Sequence, residues 1–167
     1  MLLYHGSNVE VRNPRLINQT RGLDFGAGFY LTSSQSQAER FSEIVCNRKN
    51  HDKQRNMPTV SKYEFDISVA EKQLLFLRFQ SADADWLRFV IDNRLRRHNK
   101  AEYDVIVGAV ANDDVMPTIQ ALLTGFLSEE AALVALKTKK LVDQYCFKSD
   151  KALALLKCIQ VYTPGGQ

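Results

Sequence analysis

Phe25-Gly26-Ala27-Gly28-Phe29-Tyr30-Leu31-Thr32 is the stretch on which the fold turns. Two glycines two residues apart let the backbone come close to a neighbour or a ligand, and the rings of Phe29 and Tyr30 can stack. A dinucleotide fold of the GxGxxG type needs a third glycine, a preceding buried strand and a helix opening inside the motif. Position 31 is leucine, Arg21-Gly22-Leu23-Asp24-Phe25 reads as an irregular loop, and Gly28 to Thr32 alternates as a strand. The glycines therefore enter a strand and not a helix. Taken alone, Gly-Ala-Gly ahead of a strand is equally a bend that lets a sheet twist.

Upstream, residues 1–6 carry enough apolar weight for a first strand that delivers His5, within Tyr4-His5-Gly6-Ser7, to its end. A polar loop with turn signals at Asn13-Pro14 and Arg21-Gly22 then runs to Gly28, placed to lie over a ligand. Downstream, Ser34-Gln35-Ser36-Gln37 is a capping box, so a helix starts there. Ala38, Phe41, Ile44 and Val45 recur at helical spacing and form its expected buried face, and the helix decays into a basic polar run from Asn47 to Asn56.

Farther on, Thr59 to Asp66 alternates as a strand with one register irregularity, and Gln73 to Phe79 reads as another buried segment. A helix capped by Ser81 or Asp83 runs to about Arg97 with Trp86 in its core face. Tyr103 to Val110 is a continuous apolar run, the pattern of a strand buried on both faces. Asn112-Asp113-Asp114 caps a helix with Pro117 in its first turn and Gly125 at its stop, and Ser128 caps the next. Leu141 to Phe147 reads as strand, Ser149 or Asp150 starts a short helix, and Cys158 to Tyr162 closes the series. About six strands with helices inserted irregularly between them make an α+β fold.

The chain has 167 residues, 45% hydrophobic and 25% charged, which suits one domain over residues 1–162 with a frayed tail at 163–167. No basic leader and no apolar run of membrane-crossing length is present, so the expected location is cytoplasmic, with no membrane partner. Cys46, Cys146 and Cys158 fit neither a complete disulfide set nor a zinc spacing, and no metal is expected. A net charge of +3 does not by itself announce a nucleic-acid binder. Basic groups at Arg48 to Arg55, Arg94 to Lys100 and Lys137 to Lys151 would favour a nucleic acid only if they converged on one cleft.

Two segments, Tyr4-His5-Gly6-Ser7 and Gly26-Ala27-Gly28-Phe29-Tyr30-Leu31 leading into a Ser/Gln-started helix, resemble the first two active-site segments of ADP-ribosyltransferases of the diphtheria-toxin and poly(ADP-ribose) polymerase type. The third family segment is a strand carrying a Glu, and Val142-Asp143-Gln144-Tyr145-Cys146-Phe147 is similar to it in place and pattern, with Gln144 at the Glu position. Residues 1 to 162 as a whole resemble a small bacterial toxin-like family related to these enzymes.

The resemblance implies a split β-sheet core with inserted helices, NAD+ as substrate, and transfer of a single ADP-ribose to a macromolecular acceptor, protein or nucleic acid. A toxin role implies a neutralising antitoxin protein. On this resemblance His5 hydrogen-bonds a ribose hydroxyl, Gly6 clamps the carboxamide and Ser7 meets the adenosine side. Tyr30 stacks on nicotinamide, Gly28 and Phe29 beside it are further cofactor contacts, and Gln144 reaches the nicotinamide ribose. Gln37, explained by the capping box, is a further carboxamide contact, Asp104, Asp113 and Asp114 could line the cleft, and Arg78 and Arg21 suit phosphate on charge grounds alone. An amide at 144 keeps an acceptor oxygen and loses the negative charge, which leaves two alternatives open: a silent module that binds NAD or ADP-ribose, and an NAD glycohydrolase.

Overall fold

The computed structural model describes residues 1–17, 22–49, 57–95, 102–111, 115–138 and 141–165. The strands are β1 (Leu2–Ser7), β2 (Phe29–Leu31), β3 (Thr59–Phe65), β4 (Phe76–Arg78), β5 (Val105–Ala109), β6 (Asp143–Phe147) and β7 (Leu156–Tyr162). The helices are α1 (Gln35–Lys49), α2 (Ile67–Gln73), α3 (Ala84–Arg94), α4 (Met116–Leu123), α5 (Glu129–Lys137) and α6 (Asp150–Leu153). The fold is mixed α+β, with two sheets and six helices described in one small domain. No described helix is long and apolar enough to cross a membrane.

Three strands in the order β1-β3-β7 form one sheet, and four in the order β2-β6-β5-β4 form the other. The expected register irregularity is present, since the β3–β7 pairing slips between Lys62 and Tyr63. The apolar run at 103–110 is an interior strand, with β4 parallel on one side and β6 antiparallel on the other. Its burial on both faces follows from the layering. Leu3, Phe29, Tyr63, Phe65, Val107 and Phe147 fill the space between the sheets. Phe25, Trp86, Leu87, Ile106, Ile119 and Cys146 fill the other face of the four-stranded sheet, beneath α3, α4 and α5. Trp86 is fully buried there, and its indole N–H donates to the Ala109 carbonyl at 3.0 Å.

Four local expectations are corrected. The short helix α2 is not visible in the alternating pattern; its cap is Asp66, which accepts the N–H groups of Ser68 and Val69 instead of extending β3. Helix α3 ends at Arg94, not near Arg97, and residues 96–101 lie outside the described residues. Helix α4 has Val115 at its N-cap with no side-chain cap; Pro117 and Gly125 stand where expected, while Asn112, Asp113 and Asp114 lie outside the described residues.

The fourth correction concerns α1. Its buried stripe is Ala38, Ser42 and Cys46, at 2%, 0% and 2% exposure, while Phe41 is 49% exposed. The reason is the closeness of α1 to β1. A Cβ placed on Gly6 would lie 2.0 Å from the Ala38 carbonyl oxygen, so backbone meets backbone and only small side chains fit the seam. Hydrophobicity alone selected Phe41; the distance between the elements excludes it.

Candidate functional site

The two sheets meet at one point. Tyr4 N–H donates to the Thr32 carbonyl at 2.8 Å and Thr32 N–H to the Tyr4 carbonyl at 3.0 Å, a single bridge between β1 and β2. Beyond it, no further main-chain pair joins the two strands among the described residues. Because main-chain groups alternate along a strand, the N–H and C=O of Gly6 point to the same edge as those of Tyr4, toward β2 and away from β3. The strands splay there, and the gap is spanned by a side chain. His5 Nδ1 lies 2.8 Å from the Tyr30 carbonyl oxygen.

A carbonyl only accepts, so Nδ1 carries the proton and Nε2 is left as the acceptor of the neutral ring. The His5 ring packs on Phe29 at 4.4 Å, and its burial lowers the pKa against the raising effect of the Tyr30 carbonyl bond. A depressed folded-state pKa means that the unfolded chain binds the proton more readily. Stability from His5 is therefore complete above its ordinary pKa of 6.5 and is lost as pH falls below that value. Urea denaturation between pH 7.5 and 5.5 should show a loss that the His5→Gln variant lacks. Equal slopes in both proteins would contradict it. Asp104 does not enter this window: burial raises its pKa, but bonds from Lys151, Ser149 and the Leu75 N–H outweigh that and lower it below 3.8.

Tyr30 and Gln144 lie on neighbouring strands. In the β2–β6 register Tyr30 faces Cys146, and Gln144 stands two residues along on the same face. The face is shared with Cys146, whose thiol is pushed up to about 11 by burial. The Tyr30 hydroxyl donates to the Gly26 carbonyl at 2.6 Å and accepts the Phe25 N–H at 3.1 Å. Burial, with Cys146 beside it, pushes this phenol well above its usual range and keeps it a neutral donor. Gln144 is 6% exposed, and its Nε2 donates to Asp24 Oδ2 at 2.9 Å and to the Ala109 carbonyl at 3.1 Å.

The glycines of the opening motif serve the protein's own packing. Gly26 has φ +78°, and a Cβ on it would lie 2.8 Å from Asn93 Oδ1. On Gly28 it would lie 2.4 Å from Cys146 Sγ and 2.8 Å from the Phe147 carbonyl oxygen. Lys148 Nζ clamps the loop by donating to the carbonyls of Phe25 and Ala27 at 2.8 and 2.9 Å. The space that a glycine leaves is thus filled from β6, and the loop is held from both sides.

The remaining expected residues divide in two. Gly6 and Ser7 end β1 beyond the bridge, and Tyr30 meets His5 through its carbonyl while its ring packs with Phe25 and Cys146. Phe29 is a core residue, 8% exposed, beneath His5. The capping box is half made: Ser34 Oγ accepts the Gln37 N–H at 3.3 Å, but Gln37 Oε1 takes the Thr32 hydroxyl, at 3.3 Å, instead of the Ser34 N–H. Arg78 is committed to Glu71 at 2.6 Å and stacks over Phe76, and Asp104 pairs with Lys151 at 2.8 Å and accepts the Leu75 N–H. Arg21, and the basic runs at 50–56, 96–100 and 139–140, lie outside the described residues.

Two residues of the site were not singled out by the sequence. Asp143 accepts the Ser33 N–H at 2.9 Å and the Ser33 hydroxyl at 2.6 Å, tying β6 to the start of α1. Asp24, in the loop before the glycines, is 6% exposed and accepts from Arg94 Nε at 2.7 Å, the Ala111 N–H at 2.9 Å and Gln144. Nothing in its local sequence marks it, because all three partners are remote. Among the described residues no group of three His, Cys, Asp or Glu side chains is gathered for a metal.

A family model described as a protein of unknown function (DUF3990) matches residues 1–158. No curated protein and no solved structure matches the chain.

Proposed function

The chain belongs to the DUF3990 family, and from the site in its own fold we propose that it is an NAD-dependent mono-ADP-ribosyltransferase acting on a macromolecule. The observation that carries this reading is the adjacency of three strands far apart in sequence. The segment with His5, Gly6 and Ser7 meets the Tyr30 strand at the splay, and that strand pairs with the one bearing Gln144. On this reading the two sheets are an ADP-ribosyltransferase-like split sheet.

Each part suits its task. Nicotinamide carries a carboxamide, with an acceptor oxygen and a donor NH2, and the Gly6 N–H and C=O offer one donor and one acceptor to match. His5 Nε2 accepts from a ribose hydroxyl while Nδ1 is occupied by Tyr30. Tyr30 lends an aromatic face. The bond between nicotinamide nitrogen and ribose C1′ breaks with its electron pair leaving on nicotinamide, the sugar passes through an oxocarbenium-like state, and an acceptor nucleophile bonds to C1′ as it loses its proton. Gln144 contributes an acceptor oxygen toward that sugar. Transfer of a single unit, without chain growth, follows from the absence of a carboxylate at 144. An intracellular acceptor and a neutralising antitoxin protein complete the reading.

The test is incubation with labelled NAD in a cell extract, with the His5→Gln variant in parallel, followed by nuclease or protease digestion. Label should appear on a macromolecule and fall at least about tenfold in the variant, and the digestion identifies the acceptor as nucleic acid or protein. Intact NAD with measurable binding would make the protein a silent module. Free ADP-ribose without labelled macromolecule would make it a glycohydrolase.

A further inference from the structure

We infer that Asp24 is the positioning residue of Gln144, and that its carboxylate is why position 144 bears an amide and not a carboxylate. The inference rests on the transferase reading for its catalytic meaning, but its geometry stands independently. Gln144 Nε2 has two hydrogens, and both are engaged by pure acceptors, Asp24 Oδ2 at 2.9 Å and the Ala109 carbonyl at 3.1 Å. Which way an amide points is often ambiguous; here two acceptors on one side leave a single answer. The nitrogen faces them, and among the described residues Oε1 is the atom left to receive a hydroxyl.

Asp24 is itself fixed. Its Oδ1 takes Arg94 Nε at 2.7 Å, and its Oδ2 takes the Ala111 N–H at 2.9 Å together with Gln144. A carboxylate accepting from the amide N–H polarises the amide and raises the basicity of Oε1, in the manner of a hydrogen-bonded chain. The negative charge that a glutamate would carry at 144 is thus held one hydrogen bond farther back.

A glutamate at 144 would set its oxygens against Asp24 and the Ala109 carbonyl, with one guanidinium, Arg94, to balance two carboxylates. Like charges sharing a site oppose each other's ionisation, and a glutamate that takes a proton offers one hydrogen where the amide offers two, so the Asp24 and Ala109 acceptors cannot both be met. Gln144 and Asp24 are therefore required as a pair.

The experiment compares Asp24→Asn, Gln144→Glu and the double variant with the parent protein, by nicotinamide release from NAD and by melting temperature. Asp24→Asn should lower kcat about tenfold with KM nearly unchanged. Gln144→Glu should lose at least as much, and Asp24→Asn/Gln144→Glu, which keeps one carboxylate and one amide in the pair, should regain about threefold or more over Gln144→Glu. Unchanged kcat in Asp24→Asn, or Gln144→Glu as active as the parent, would overturn the inference. The melting temperatures form a second cycle: the double variant should melt above the sum of the two single losses, and additive losses would overturn the pairing. A parent protein that releases no nicotinamide would sink the transferase reading, while the melting cycle would still decide the Asp24–Gln144 arrangement.

Discussion

Gly6→Ala should destabilise the protein by about 3 kcal/mol or more, beyond the usual cost of overpacking a core, because the added Cβ meets a carbonyl that no rotamer change can move. That Cβ would stand 2.0 Å from Ala38 O, 2.9 Å from Ala38 C and 3.0 Å from Ser42 N, all backbone atoms of α1. The helix must lift from β1, and Ala38, Ser42 and Cys46, which pack only because the two backbones are close, are exposed together. Against a total stability of roughly 5–15 kcal/mol this is a large fraction. Lifting α1 also disturbs the Tyr4–Thr32 bridge beside it, so the nicotinamide release that the transferase proposal expects should fall with stability. Gly125→Ala is the control: φ is +78°, but nothing lies within 4 Å of the new Cβ, so only backbone strain of about 1 kcal/mol remains. Urea denaturation of both variants decides the matter, and equal losses would show that α1 yields where the geometry says it cannot.

Arg94→Ala should cost about 3 kcal/mol or more, the range for removing one partner of a buried ion pair. Arg94 is 27% exposed and Asp24 7%, so the charge left behind is the buried one. Two N–H donors, from Ala111 and Gln144, still point at Asp24, but neither carries a positive charge. Introducing Asp24→Asn into the Arg94→Ala background should therefore recover part of the loss, since the charge without a counterion is removed. The comparison is Arg88→Ala. Arg88 pairs with Glu129 at 2.6 Å but is 62% exposed, and an exposed pair contributes about 0–1 kcal/mol. Similar losses for Arg94→Ala and Arg88→Ala in chemical denaturation would mean that Asp24 is far better solvated than its burial implies.

The contacts behind these two predictions bear on how much of the structure can be read along the chain. The strand positions of His5, Gly6, Tyr30 and Gln144 are legible because each stands in a short motif, and strand alternation is written in neighbouring residues. Asp24 is not legible, since a polar residue in a loop of Arg, Gly and Leu looks solvated until Arg94, Ala111 and Gln144 arrive from distances of 70, 87 and 120 residues. Phe41 shows the converse error. Helical periodicity identifies an apolar residue correctly, but whether that side chain or the small one beside it is buried depends on how closely the helix sits on its sheet.

By itself the sequence determined the elements carried by local chemistry: the strands at His5 and Tyr30, the interior strand at 105–109, the Ser128 cap and the helix after the glycine motif. It also determined the α+β class, because strand and helix periods depend on residues two to four apart. Only the tertiary structure decided why the glycines are glycines, which face of α1 is buried, and that Gln144 answers to Asp24. Those facts are distances between backbones and side chains remote in the chain, and no local periodicity encodes a distance of that kind.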